Sequence, residues 1–95
     1  MGLRFEWDRR KAEANWRKHG VRFEDAATVF ADPLSRTIPD SEDQAGEERC
    51  VTLGVSRGQQ LLVVIHADRG DIIRIISARE ATRRERHAYE EVDIR

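Results

Sequence analysis

The sequence predicts an α+β fold: a four-stranded antiparallel meander sheet flanked by two N-terminal helices and a C-terminal helix. Three observations lead there. Helical periodicity is confined to the two ends of the chain, the middle is a series of short β-branched runs, and the links between those runs are too short for crossovers. The 95 residues make one domain, residues 1–95. A chain of that size buries roughly 60–65% of its unfolded surface, so every charge placed inside it is costly.

Asp8 can cap a first helix, which His19-Gly20 closes with glycine at the left-handed exit position. Phe23, Ala26, Ala27 and Phe30 fall at helical spacing and form a second, short helix that Asp32-Pro33 ends. Leu34 to Ile38 reads as an edge strand, and Pro39 to Glu48 as an acidic loop. Arg49 to Val55, Leu61 to Ala67 and Ile72 to Ser77 are the remaining strands, linked by the turns Ser56-Arg57-Gly58-Gln59 and Asp68-Arg69-Gly70-Asp71. Ser77-Ala78-Arg79-Glu80 has the form of a capping box, which starts the last helix at Ser77 and carries it to about Glu91. Its inward stripe is Ala78, Ala81, Thr82, Glu85, Ala88, Tyr89 and Val92.

Composition narrows the function. Leu61 to Ile65 is the longest apolar run, far short of a bilayer span, and Arg4, Glu6 and Asp8 interrupt any signal-peptide core. One cysteine allows no internal disulfide, and three scattered histidines make no zinc pattern, so a cytoplasmic, cofactor-free chain is the simplest reading. The net charge of −1 conceals three blocks: residues 4–22 carry +4, residues 23–48 carry −7, and residues 69–86 carry +3. If the first and third blocks meet in space they form a basic patch suited to phosphate, with the acidic middle opposing bulk nucleic acid.

The candidate chemistry lies in those basic blocks. Asp8, Lys11, Ala12, Asn15 and His19 share one stripe of the first helix, too poor in apolar residues to be held by burial alone. His19 is either a helix-end cap or a titrating group, flanked by Lys11 and Lys18 as phosphate ligands. Arg74 interrupts a buried row of the last strand; it needs a carboxylate such as Glu48 or Glu85, or an open cleft where a phosphate binds. Arg79, Arg83 and Arg86 share a face of the closing helix, and Arg79 in its first turn opposes the helix dipole, which suggests that it points at an anion. Glu48-Arg49 sets a carboxylate beside a cation at a strand start.

Several of these segments resemble BrnT-type toxins. Phe5-Glu6-Trp7-Asp8 with Lys11, Asn15 and Lys18-His19-Gly20-Val21 matches the start of that family, followed by Phe23-Glu24-Asp25-Ala26 and Val29-Phe30-Ala31-Asp32-Pro33. Glu48-Arg49 with Gly54 fits its middle, and Arg74 through Arg86 with Tyr89 fits its end; the acidic loop at 39–47 is the one departure. The resemblance implies a RelE-like fold and a ribonuclease toxin of a bacterial type II toxin–antitoxin pair that blocks translation. It implies a BrnA-type ribbon-helix-helix antitoxin in a heterotetramer, with operator DNA contacted only through that antitoxin. It places catalysis on His19, Glu48, Arg49, Arg74 and Arg79, and RNA binding on Lys11, Lys18 and Tyr89, to which the exposed Arg83 and Arg86 are added.

The expected chemistry is metal-independent attack of an RNA 2′-hydroxyl on the adjacent phosphate. Glu48 or His19 would move protons, Arg74 and Arg79 would brace the phosphate, and Arg49 and the lysines would hold its neighbours. All of these side chains are expected to converge with the first helix on one anionic pocket. The alternative is a non-catalytic protein that binds nucleic acid or its cognate repressor and acts only in autoregulation. No helix-turn-helix pattern or strand aromatics favour it.

Overall fold

Five strands, rather than four, make the sheet, and the fifth is the one nearest the N-terminus. The computed structural model describes residues 2–42 and 48–93, less the side chains at 41, 42, 92 and 93, so residues 43–47 of the acidic loop and the Val92 side chain fall outside it. In chain order the elements are β1 (Arg4–Glu6), α1 (Arg9–His19), α2 (Phe23–Ala27), a 3-10 turn (Thr28–Ala31), β2 (Arg36–Glu42), β3 (Glu48–Val55), β4 (Leu61–Arg69), β5 (Ile72–Glu80) and α3 (Arg83–Asp93). Their spatial order is β1-β5-β4-β3-β2. Strands β2 to β5 form the expected antiparallel meander, whereas β1 adds to β5 in parallel, pairing Arg4 with Ile72, Phe5 with Ile73 and Glu6 with Arg74. The sheet is therefore mixed, and β5 lies inside it rather than at its edge.

The local chemistry of α1 is as its sequence suggests. Asp8 Oδ1 accepts from the backbone N–H groups of Arg10 (2.8 Å) and Lys11 (3.1 Å), and these bonds hold its carboxyl below the ordinary range. Gly20, at φ 70°, returns its N–H to the Trp16 carbonyl at 2.9 Å. The polar stripe is tied down at one residue. Asn15, the only buried residue of α1, donates from Nδ2 to the carbonyls of Val21 (3.0 Å) and Ala78 (2.8 Å), and its Oδ1 accepts the Ala78 N–H at 3.0 Å. Strand β1 has stopped pairing by then, so this carboxamide supplies the hydrogen bonds that a longer β1 would have made.

The second helix is shorter than the spacing implies: after Ala27 it tightens into the 3-10 turn. Phe23, Ala26 and Val29 still point inward, each 0% exposed. Strand β3 lies against that turn so closely that a Cβ on Gly54 would stand 2.8 Å from Val29 Cγ1. Strand β2 begins at Arg36 rather than Leu34 and runs past Ile38.

Alternation along the strands divides the sheet into two faces. Leu62, Val64, Ile73, Ile75 and Ala78 pack with Val21, Phe23 and the edges of Phe5 and Trp7 beneath α1 and α2. Val51, Leu53 and Val63 point the other way and line a groove with Glu85 and Ala88 of α3. Helices thus lie on both faces, and α3 covers only part of its side. A bulge in β5 matters here: Ile65 pairs with Ser77 but His66 pairs with Ile75, leaving Ile76 as the extra residue. Ser77 is turned away from the Ile73–Ile75 row, with which simple alternation would group it, and Ala78 takes its place in the core.

The last helix starts later than expected. Strand pairing of Val63 with Arg79 and Leu62 with Glu80 extends β5 through the Ser77–Glu80 pattern. The capping box is Thr82-Arg83-Arg84-Glu85: the Glu85 N–H donates to Thr82 Oγ1 at 3.2 Å, and the Thr82 N–H donates to Glu85 Oε1 at 2.8 Å. Among the described residues no helix is long and apolar enough to cross a membrane.

Candidate functional site

Cross-strand partners share a face, so the register maps the candidate residues without ambiguity. On the face that α3 partly covers, one row reads Glu6 (β1), Arg74 (β5), Ala67 (β4) and Arg49 (β3). The next row toward α3 holds Ser77, Ile65, Val51 and Ile38, and the one after holds Arg79, Val63, Leu53 and Arg36. On the far side, Ile72 stands between Arg4 and Arg69. Arginine thus stands on four strands at this end of the face: Arg4, Arg74, Arg69 and Arg49. Between Arg74 and Arg49 the row holds only Ala67, itself 1% exposed.

The arginines differ in what holds them. Arg79 donates from Nη1 and Nη2 to the two oxygens of Glu85, at 2.8 and 2.9 Å. That fork raises the Arg79 pKa and holds the Glu85 carboxyl at about 2, helped against its own burial by the Thr82 N–H. Arg79 lies in a strand, so the penalty of a cation in a first helical turn does not arise, and it forms no helical row with Arg83 and Arg86. Arg74 is half-buried and, among the described residues, makes no ion pair or side-chain hydrogen bond. Neither carboxylate expected as its structural partner reaches it: Glu85 is committed to Arg79, and Glu48 points to the opposite face.

The other expected residues do not join this row. Glu48 and Arg49 are adjacent in a strand and so face opposite ways. His19, Lys11 and Lys18 are exposed on α1, which covers the far side of the sheet. The expected convergence of α1 with the arginines on one pocket is therefore not formed, because the sheet lies between them. Arg83 and Arg86 are exposed on α3. Tyr89 is half-buried, and its hydroxyl donates to Asp32 Oδ2 at 2.6 Å. Burial pushes the Asp32 carboxyl up, but Tyr89 and the Val55 and Leu34 N–H groups together pull it below its ordinary range.

A second polar cluster, missed from the sequence, lies on the face beneath α1 and α2. His66 Nδ1 donates to Asp68 Oδ1 at 2.6 Å, His66 Nε2 bonds Thr52 Oγ1 at 2.7 Å, and Thr52 Oγ1 bonds Thr37 Oγ1 at 2.7 Å. Phe30 meets the imidazole edge-on at 4.9 Å. The chain of bonds crosses three strands, but its centre is closed to substrate, with Thr52 and His66 at 0% and 1% exposure. Burial, together with Asp68 and Glu48, pushes the Cys50 thiol up, the direction opposite to that of an activated thiolate. Among the described residues, no three His, Cys, Asp or Glu side chains gather to hold a metal.

Residues 7–85 match the family described as "Ribonuclease toxin, BrnT, of type II toxin-antitoxin system". The chain belongs to the BrnT family. The crystal structure of the Brucella abortus ribonuclease toxin BrnT is similar over 85% of this chain and 99% of that one, with 25% sequence identity and a TM-score of 0.67. No curated protein matches. A BrnT toxin of a type II system is a ribonuclease and has an antitoxin partner.

The missed residues left faint signals. The place of Glu6 beside Arg74 was not legible because β1 is three residues long; only the apolar Phe5 between two charges hinted at a strand. His66 sat within an apolar run, where a buried, hydrogen-bonded imidazole and a ligand look alike.

Proposed function

We propose that this BrnT toxin is an endoribonuclease that cleaves RNA by attack of a 2′-hydroxyl on the adjacent phosphate, without a metal, and so inhibits translation. The observation that carries the reading is Arg74: a half-buried guanidinium without an ion-pair partner among the described residues, in one cross-strand row with Arg49. A protein keeps such a cation where an anion comes to meet it. Arg74 and Arg49 brace the reacting phosphate as charge builds on its oxygens. Arg79 stands two rows away, roughly 13 Å by the rise of a strand, and takes a neighbouring phosphate by exchanging Glu85 for it. Arg83 and Arg86 hold flanking phosphates. Lys11, Lys18 and His19 reach only RNA that continues round the sheet edge, and Glu48 and Tyr89 stay outside the first contacts. A BrnA-type ribbon-helix-helix antitoxin neutralises the toxin and carries it to operator DNA.

The test is cleavage of single-stranded RNA by the purified toxin with EDTA present, reading the termini. The expected result is 2′,3′-cyclic phosphate and 5′-hydroxyl ends, lost by about 10²–10³-fold in Arg74→Ala at an unchanged melting temperature. Cleavage that stops on chelation, or survives at full rate in Arg74→Ala, overturns the reading. Co-production of a ribbon-helix-helix partner should relieve growth arrest.

A further inference from the structure

We propose that Glu6 is the general base: its carboxylate takes the proton from the attacking 2′-hydroxyl. This rests on the arginine-face reading and fills the place that His19 and Glu48 cannot, since both lie on the other side of the sheet. The parallel pairing of β1 with β5 sets Glu6 directly beside Arg74, on strands about 4.8 Å apart, and Arg49 stands beyond Ala67 in the same row. One carboxylate and two guanidinium side chains thus share one cross-strand row, with both arginines half-buried. Glu6 is exposed and, like Arg74, makes no ion pair or side-chain hydrogen bond among the described residues. The other carboxylates nearby are committed or turned away: Glu85 holds Arg79, and Glu80 accepts from Gln60 at 2.8 Å. Asp68 receives His66 on the opposite face. The family match begins at residue 7, so Glu6 lies just outside it.

The step balances without a co-reactant other than water. The 2′-O–H bond breaks as its proton passes to Glu6, and the oxygen forms a bond to phosphorus as the bond from phosphorus to the 5′-oxygen breaks. The leaving 5′-oxygen takes a proton from water, and the hydroxide left behind takes the proton back from Glu6. Arg74 and Arg49 hold the non-bridging oxygens throughout. Arg4, in the next row, is the remaining charged neighbour along β1.

The experiment compares Glu6→Gln, Glu6→Asp and Arg74→Ala in the full chain. Two quantities are read: cleavage of a single-stranded oligoribonucleotide, and affinity for the same strand with 2′-deoxy sugars, which cannot react. Glu6→Gln should lose about 10²–10⁴-fold in cleavage while binding the deoxy strand as tightly as the wild type, and the acid limb of its pH–rate profile should vanish. Glu6→Asp, one methylene shorter, should keep part of the rate and the limb; it also serves if Glu6→Gln does not fold. Arg74→Ala should lose both cleavage and affinity. Full cleavage by Glu6→Gln beside an inactive Arg74→Ala overturns the base and leaves the arginine face standing. Full cleavage by both overturns both. Equal loss of rate and affinity in Glu6→Gln makes Glu6 a binding residue and overturns the base.

Discussion

The two faces of the sheet treat polar groups in opposite ways. Beneath α1 and α2, the buried imidazole of His66 is bonded at both nitrogens, and Thr52 passes the chain on to Thr37. On the other face, Arg74 is half-buried with no ion pair among the described residues. A satisfied buried network adds stability and fixes register; a half-buried cation that closes no ion pair adds little. The first belongs to the scaffold, and the second is where the phosphate site is proposed. Counting charges along the chain points to α1 and the arginines equally, whereas asking which charges are already answered separates them.

That contrast can be broken or sharpened by substitution. After the loss of cleavage expected for Arg74→Ala, the largest effect should come from His66→Leu. Removing both ring bonds should lower unfolding stability by about 2 kcal/mol, read by urea denaturation, while cleavage per folded molecule stays at the wild-type value. A loss of cleavage at unchanged stability would make the covered network part of the site and erase the distinction. Next comes Glu85→Gln. The folded carboxyl titrates at about 2, below its ordinary value of 4.5. Its stabilising effect is therefore complete above pH ~4.5 and disappears as pH falls through 2. Both partners are partly exposed, so screening reduces the effect to about 1 kcal/mol. The variant should lose that amount near neutral pH and show a flatter acid-denaturation curve, with Arg79 released to bind RNA more tightly. Tyr89→Phe should have the smallest effect, about 1 kcal/mol or less, as one hydrogen bond to a charged acceptor is replaced by water. A thermal melt reads it, and the Asp32 carboxyl, followed by NMR titration, should move up toward its usual range.

Local chemistry made much of the fold legible. The Asp8 cap, the Gly20 exit and the two short turns of the meander are decided within a few residues, and the structure agrees with them. Degenerate local signals failed. Ser77-Ala78-Arg79-Glu80 and Thr82-Arg83-Arg84-Glu85 share one capping pattern, and pairing with Leu62 and Val63 decided between them by keeping the first in a strand. Non-local features were not legible at all. Strand β1 is too short to show a period, and its partner lies near the other end of the chain; the bulge at Ile76 has no residue signature. The site suffered most from this. Glu6 reaches the arginine row only through β1, and the bulge puts Arg74 and Arg79, an odd number of positions apart, on the same side. Membership of the BrnT family was carried by segments along most of the chain, and did not depend on knowing which face they share.

The carboxamide of Asn15 binds a strand residue 63 positions further along. Helix α1 can wind up by itself within microseconds, but its amide has nothing to hold until the meander has formed and brought Ala78 to it, and long closures of that kind come late and slowly. The flank of β5 stays unfinished until then. A nascent chain must be made past Ala78 before its guanidinium groups stand together.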